Sequence, residues 1–400
     1  MIERAQQHAG LIEFGDVPFE AGLRVFLRAC TEEADLSLVG KFATRWDIRR
    51  LLSNLLRMHY EEQRAPEILE ERIARPIFIT GLPRSGTTFL HQLLTMDESN
   101  QVPRVWQLIH PYRVLGRLAQ KDNRKRRVDR HLRFFRILAP EFRRVHPIDA
   151  DSPQECSEIS AHIFASLRFD TTYCIPSYRR WLDGTGHLNA FRFHKRFLQH
   201  LQHQTGSTGR WVLKCPDHVF ALAEIRVIYP DARFVFVHRD PLRVLASVTR
   251  LTEILRRPFT RHLDRAKLGP QECARWSRAA DLMLHTADQE PFAEPIYHIC
   301  YRDLVRDPVG AIERLYDHFG LAPVPELATR ISSTIAANPG GGYRASRYRL
   351  EDYAIDPGAI RKRFIHYAER FGVLPETEPM MTRNPPLSIM RSDRVNVGTT

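Results

Sequence analysis

The stretch RPIFITGLPRSGTTFLHQLL, residues 75–94, decides the fold. An apolar run over residues 77–80 ends at Gly81, and a turn of small and polar residues follows. From Phe89 onward, apolar side chains recur at the spacing of a helix. This order of strand, glycine-rich turn and helix is typical of a loop that binds phosphate groups.

The loop lacks one residue that a nucleoside triphosphatase needs. Gly81 and Gly86 have the spacing of the Walker A loop, but Thr87 and Thr88 follow where that loop has Lys and then Ser or Thr. A loop without this lysine does not favour ordinary ATP hydrolysis. The sequence therefore predicts a site for another phosphorylated ligand.

The composition indicates a globular protein with an anionic ligand. The chain has 400 residues and a net charge of +12, contributed mostly by arginine. It contains no apolar stretch of about 18 residues and no CxxC pair, so we expect no transmembrane segment, disulfide framework or zinc site. The first residues lack the apolar core of a signal peptide, and the expected location is the cytoplasm.

Short apolar runs alternate with helical segments, which predicts a parallel sheet covered on both faces. The predicted strands are PIFITG (76–81), WVLKCP (211–216), ARFVFVH (232–238) and PIYHICY (295–301). The expected fold is α/β, with a parallel sheet like that of P-loop nucleoside triphosphatases flanked by helices. We expect a helical N-terminal extension over residues 1–72, the α/β domain over 73–374 and an extended or mobile tail over 375–400.

Residues 121–147 hold ten Lys or Arg side chains. Such a run is either a solvated helix face or a basic rim that attracts an acidic acceptor. The sequence contains no helix-turn-helix, zinc-finger or RNP motif, so nucleic acid is not an expected partner.

The turn after the first strand has the donors that a dianion needs. Its backbone N–H groups and the N-terminus of the following helix bind anions without a metal, and arginine adds planar donation to phosphate or sulfate oxygens. The residues predicted to hold this anion are Pro83, Arg84, Ser85, Gly86, Thr87 and Thr88.

A second anion site is predicted in FVFVHRDPLRVLASVTRL, residues 234–251. An apolar strand ends at His238, and Arg239 follows at the strand end, where open α/β sheets bind ligands. Ser247 lies eight residues later on the next helix, so both side chains are candidates for a second phosphate. The HRD tripeptide also occurs in protein kinases, but the other kinase motifs are missing.

Together, GLPRSGTT and the pair Arg239 and Ser247 resemble the two signatures of sulfotransferases that use 3′-phosphoadenosine 5′-phosphosulfate. The resemblance covers roughly residues 75–370 and is nearest to bacterial-type members. It implies that Arg84, Gly86, Thr87 and Thr88 bind the 5′-phosphosulfate, that Arg239 and Ser247 bind the 3′-phosphate, and that no metal is needed.

The family pattern breaks at the catalytic groups. Cytosolic members carry Lys-x-His, whereas this chain has LKCPDH: Lys214 matches the lysine, Pro216 occupies the histidine position, and His218 comes two residues later. For the base that accepts the proton of the acceptor, the candidates in order are Glu155, His218 and His110. We expect Pro153 to start a helix with Glu155 in its first turn.

The resemblance further implies an enzyme that moves a sulfuryl group, in line, to an acceptor hydroxyl or amine. The acceptor is expected to be a small molecule, a lipid or a glycan. A glycine run before Arg344 and Arg347 is a candidate lid over the nucleotide. The alternatives are a P-loop nucleotide or small-molecule kinase, and a nucleotide-binding protein without catalysis.

Overall fold

The computed structural model describes residues 1–113, 122–138, 140–141, 148–289, 294–337 and 350–376. Within these ranges the centre of the fold is a five-stranded, all-parallel sheet with the order β2-β3-β1-β4-β5. The strands are β1 Ile77–Gly81, β2 Asn100–Gln101, β3 Arg210–Lys214, β4 Arg233–His238 and β5 Tyr297–Cys300. The predicted α/β class and all four predicted strands are confirmed, and β2 is a two-residue addition too short to predict.

Helices cover both faces of the sheet, which explains why its strands are apolar throughout. Along β1, Ile77 and Ile79 belong to one apolar core, whereas Phe78 belongs to a larger core on the opposite face. All five residues of β1 are buried.

The described α-helices, numbered in chain order, are α1 Ile2–Ala9, α2 Glu20–Glu32, α3 Leu38–Arg64, α4 Thr87–Leu94, α5 Val105–Ile109, α6 Arg124–Leu138, α7 Ser157–Ala161, α8 Arg168–Thr172, α9 Pro176–Thr185, α10 Leu188–Thr205, α11 Leu222–Ile228, α12 Pro241–Arg256, α13 Arg265–Asp288, α14 Tyr301–Arg306, α15 Pro308–His318, α16 Leu327–Ala337, α17 Pro357–Arg363 and α18 Ile365–Arg370. Short 3₁₀ turns lie at Pro66–Glu70, Pro216–Phe220 and Leu350–Tyr353.

The N-terminal region is helical, with α1, α2 and α3 preceding the sheet. These helices contribute Phe26 and Leu52, among others, to the same core that contains Phe78 and Phe234 of the sheet. The boundary predicted at residue 72 therefore does not separate two cores, and the division into domains stays a prediction. Among the described helices, none has both the length and the apolar character required to cross a bilayer.

The carboxyl ends of the central strands meet along one edge of the sheet. β1 ends at Gly81, β3 at Lys214, β4 at His238 and β5 at Cys300. Open parallel sheets bind their ligands at this edge. The residues that follow these four ends define the candidate site.

Candidate active site

The loop after β1 holds two residues in left-handed backbone conformations. Arg84 has φ 63° and Gly86 has φ 100°. A Cβ atom added at Gly86 would lie 2.6 Å from a ring carbon of Tyr301, so this position requires glycine both for its backbone and for its close contact. For Arg84 the conformation is strained, and strain of this kind concentrates at binding sites.

The loop leads directly into α4, whose N-terminus has no side-chain cap. Its first backbone N–H groups are therefore available to an anion. The hydroxyl of Ser85 is fully buried and has no hydrogen-bond partner among the described residues. An uncapped helix start beside an unsatisfied buried hydroxyl fits a phosphate or sulfate group that supplies the missing acceptor oxygens.

Arg84 connects this loop with the second predicted phosphate site. Its Nε donates to Ser247 Oγ of α12 at 3.1 Å, and its carbonyl oxygen accepts from Arg239 Nη1 at 2.9 Å. The guanidinium of Arg239 also lies 4.0 Å from the centre of the Tyr301 ring. The structure thus brings Arg84, Arg239 and Ser247 together, as the sequence predicted, and adds Tyr301.

A carboxylate at the end of the described residues is hydrogen-bonded to the guanidinium of Arg239. Glu376 accepts two hydrogen bonds from Arg239, at Nε and Nη2, of 2.8 and 2.9 Å. Its backbone N–H donates to Asp240, and its carbonyl oxygen accepts from Arg243. This two-oxygen contact has the geometry with which arginine binds phosphate.

Lys214 and Glu155 form an ion pair next to the first loop. Lys214 Nζ donates to Glu155 Oε1 at 2.6 Å and to Thr88 Oγ1 at 3.2 Å. The lysine is 1% exposed, whereas the Glu155 side chain is 31% exposed and can be reached from solvent. A cation and a carboxylate therefore lie beside Thr88, the second residue of α4.

The expected helix start at Pro153 is wrong. Pro153 forms an isolated antiparallel bridge with Arg104, and α7 begins only at Ser157. Glu155 lies in the preceding turn, where Cys156 N–H donates to the Lys214 carbonyl oxygen at 3.1 Å. The strand end that carries Lys214 therefore positions Glu155, and the carboxylate lies beside the Lys214 ammonium, before the first turn of α7.

The two candidate histidines are not brought to this ion pair. His218 is buried on the Phe78 side of the sheet, its ring 5.1 Å from that of Phe78, and burial holds the pKa of His218 well below its usual value. His110 ends α5 beside Tyr112, where burial and nearby arginines lower its pKa to about 3. Groups with so little affinity for a proton are poor general bases.

Two predicted nucleotide contacts, Arg344 and Arg347, lie outside the described residues.

Two residues of the candidate site, Tyr301 and Glu376, were not predicted from the sequence. Tyr301 follows the C-terminal end of an apolar strand, a position that favours ligand contact and was available as a signal. Glu376 had no signal, because nothing near it in the sequence indicates a partner 137 residues away.

Comparisons with known proteins find related sequences and folds. A family model described as "Sulfotransferase family" matches residues 76–326. The omega-hydroxy-beta-dihydromenaquinone-9 sulfotransferase Stf3 of Mycobacterium bovis is 26% identical over 289 residues, which are 69% of this chain and 70% of that protein.

Two solved structures share the fold over almost their whole length. The sulfotransferase STF9 from Mycobacterium avium has a TM-score of 0.84 and 25% identity, covering 94% of this chain and 97% of that one. The sulfotransferase STF1 from Mycobacterium tuberculosis has a TM-score of 0.79 and 28% identity, covering 91% and 97%.

Proposed function

This chain belongs to the sulfotransferase family and is an enzyme that transfers sulfuryl groups, and we propose that its donor is 3′-phosphoadenosine 5′-phosphosulfate. The observation that supports this donor is the connection of two anion sites through Arg84. Arg84 belongs to the loop before α4, and it contacts Ser247 through its side chain and Arg239 through its carbonyl oxygen. A nucleotide with phosphate groups at both its 5′ and 3′ positions fits such a pair of sites. The kinase alternative is not favoured, because the matched family transfers sulfuryl groups.

We assign the 5′ end of the donor to the first loop. Pro83, Arg84, Ser85, Gly86, Thr87 and Thr88 surround that anion. The backbone N–H groups of the α4 start and the hydroxyl of Ser85 donate to it. Arg239 and Ser247 bind the 3′-phosphate, which takes the place of the Glu376 carboxylate on Arg239. Arg344 and Arg347 remain proposed nucleotide contacts.

The chemical step uses the Lys214–Glu155 pair. The acceptor oxygen forms a bond to sulfur while the bond between sulfur and the 5′-phosphate oxygen breaks. Glu155 takes the proton of the acceptor hydroxyl, and Lys214 and the loop stabilise the negative charge on the departing phosphate oxygen. No metal takes part in this proposal, because the buried ammonium supplies the positive charge at that place.

The proposed acceptor is a lipid alcohol, within the broader set of small-molecule, lipid and glycan acceptors expected from the sequence. The support is the similarity to a sulfotransferase whose name gives a hydroxylated menaquinone as its substrate. A hydroxyl at the end of an apolar chain needs only its terminal oxygen at Glu155, whose side chain is exposed enough to be contacted from the cleft.

Transfer of radiolabelled sulfate tests the proposal. The full chain is incubated with ³⁵S-labelled donor, EDTA and a panel of long-chain alcohols, and label is measured in the organic phase. We expect organic-soluble label, loss of it in Lys214→Met, and unchanged transfer in Lys362→Met, which removes an exposed lysine elsewhere. Label only with sugars or peptides would contradict the lipid acceptor, and activity that requires Mg²⁺ would contradict the metal-free step.

A further inference from the structure

Exposed apolar side chains concentrate on two neighbouring helices, α3 and α6. Among the described residues, eleven large hydrophobic side chains are exposed, and five of them lie on the first turns of α3 and the last turns of α6. The four most exposed of these five are Leu38 at 85%, Phe42 at 73%, Phe134 at 61% and Ile137 at 76%. We call these four, with Val39, the apolar patch.

Packing between the two helices brings these residues to one surface. The Trp46 ring of α3 lies 5.2 Å from the His131 ring of α6. Nearer the start of α3, Phe259 stacks on Phe135 of α6 at 6.3 Å, and its carbonyl oxygen accepts from Ser37 N–H. The beginning of α3 therefore lies beside the end of α6, and the two helices run in opposite directions.

Spacing places the patch residues on one face of each helix. Leu38 and Phe42 are four residues apart on α3, and Phe134 and Ile137 are three apart on α6. Side chains at these intervals are neighbours on a helix surface. Because the helices are antiparallel, the apolar start of α3 lies beside the apolar end of α6.

The same exposed faces become basic toward the other end of each helix. On α3 the face continues with Arg45 and Arg49, and on α6 it is preceded by Arg126, Arg130 and Arg133. All five arginines are exposed, and none forms an ion pair with another residue of the described ranges; the pairs at this end of α6 are made by Arg124 and Lys125. We call these five arginines the basic collar.

We propose that the apolar patch and the basic collar dock this enzyme on an anionic lipid bilayer. Apolar side chains insert at the boundary of headgroups and acyl chains, while arginines bind lipid phosphates beside them. The argument for a bilayer is charge complementarity: an apolar patch bordered by arginines that form no ion pair within the described ranges, on a chain of net charge +12, matches a negatively charged surface with an apolar interior.

One helix of the docking surface, α6, packs against the segment that leads to Glu155. Val128, on the inner side of α6, packs in a small core with Val105 and Ala150. From Ala150 the chain continues to Gln154, whose N–H donates to the Pro103 carbonyl oxygen, and then to Glu155. A docked enzyme therefore takes a lipid alcohol from the bilayer. This uptake rests on the proposed function, whereas docking itself does not.

Co-sedimentation of the full chain with vesicles tests the docking. Vesicles of phosphatidylcholine with phosphatidylglycerol are compared with phosphatidylcholine alone. We expect binding to the anionic vesicles that weakens as salt is raised. Phe42→Ser with Phe134→Ser lowers the partition coefficient about tenfold or more, because two large apolar side chains no longer insert. Arg45→Glu with Arg130→Glu lowers it by at least about fivefold for each arginine.

Matched controls carry the same changes elsewhere on the surface. Leu69→Ser with Val227→Ser removes two exposed apolar side chains, and Arg361→Glu with Lys362→Glu reverses two exposed charges. We expect both control variants to bind vesicles like the wild type.

The proposal is overturned if anionic vesicles are not bound, or if control and patch variants lose binding equally. It is also overturned if light scattering shows that the patch variants dissociate an oligomer, since a second copy then covers the patch. The sedimentation experiment contains neither the sulfuryl donor nor an acceptor, so its result does not depend on the result of the transfer assay.

Discussion

The ammonium of Lys214 and the carboxylate of Glu155 lie 2.6 Å apart, and the same ammonium contacts Thr88 in the first turn of α4. A proton taken up by Glu155 neutralises the carboxylate and weakens its attraction for Lys214. The ammonium then interacts more strongly with any negative charge that develops beside Thr88. In the proposed step, acceptance of the proton and stabilisation of the leaving oxygen are therefore coupled through the Lys214 side chain.

Glu155→Gln tests the base. The amide keeps the shape of the side chain but accepts no proton, so we expect kcat to fall about 100-fold or more while the affinity for 3′-phosphoadenosine 5′-phosphate is unchanged. Asp151→Asn is the control, because Asp151 is an acid of the same segment that pairs with Lys125 instead. His218→Ala is expected to have a smaller effect on kcat. Normal turnover by Glu155→Gln would refute the assignment.

Arg239→Ala tests the 3′-phosphate site. Loss of a charged contact costs about 1.5–3 kcal/mol of binding free energy for 3′-phosphoadenosine 5′-phosphate, measured by calorimetry. Adenosine 5′-phosphate, which lacks the 3′-phosphate, should bind the variant and the wild type alike. Arg302→Ala, a nearby exposed arginine, should change neither affinity. Equal weakening of both ligands would show that Arg239 acts on the fold of the loop instead.

Glu376→Gln should tighten the binding of the same nucleotide. In the free protein the Glu376 carboxylate contacts Arg239 through both oxygens, and the 3′-phosphate has to displace it. Both side chains are partly exposed, so the pair is worth about 1 kcal/mol at most, and the expected gain is about two- to fivefold. The gain should be absent for adenosine 5′-phosphate. Weaker binding would mean that Glu376 orients Arg239 for the phosphate.

His200 should make stability depend on pH. Burial opposes its charge, but contacts with Glu61 and Glu62, the latter at 2.8 Å, outweigh burial and raise its pKa. A raised folded-state pKa stabilises the protein fully below the unfolded value of about 6.5, and this contribution is lost as pH rises through the folded value.

The difference in unfolding free energy between wild type and His200→Gln should therefore be larger at pH 6 than at pH 9. Urea unfolding measures it, and His366→Gln, at an exposed position, should show no such dependence. A difference that stays constant between these pH values would mean that His200 acts through packing alone.

Local patterns predicted the parts of the site that lie within one strand and its turn. The loop from Pro83 to Thr88 and the pair Arg239 and Ser247 are of this kind, since a strand, a turn and a helix start fix their positions. His218 could not be placed in this way. β3 ends at Lys214 and a 3₁₀ turn follows, which returns His218 to the Phe78 face of the sheet. Only the tertiary packing decides on which side of the sheet such a residue lies.

The ring of Tyr301 lies against both Gly86 and the guanidinium of Arg239. Arg84 is hydrogen-bonded to both Arg239 and Ser247. Together with the Tyr301 ring, these bonds hold the two predicted anion sites at a fixed separation. With the proposed donor, such a site selects nucleotides by the distance between their two anionic groups. All three phosphates of ATP are attached at the 5′ position of the ribose. On the proposed assignment ATP therefore fills the 5′ site and leaves the 3′-phosphate site empty, so we expect it to be a weak competitor even when it is abundant.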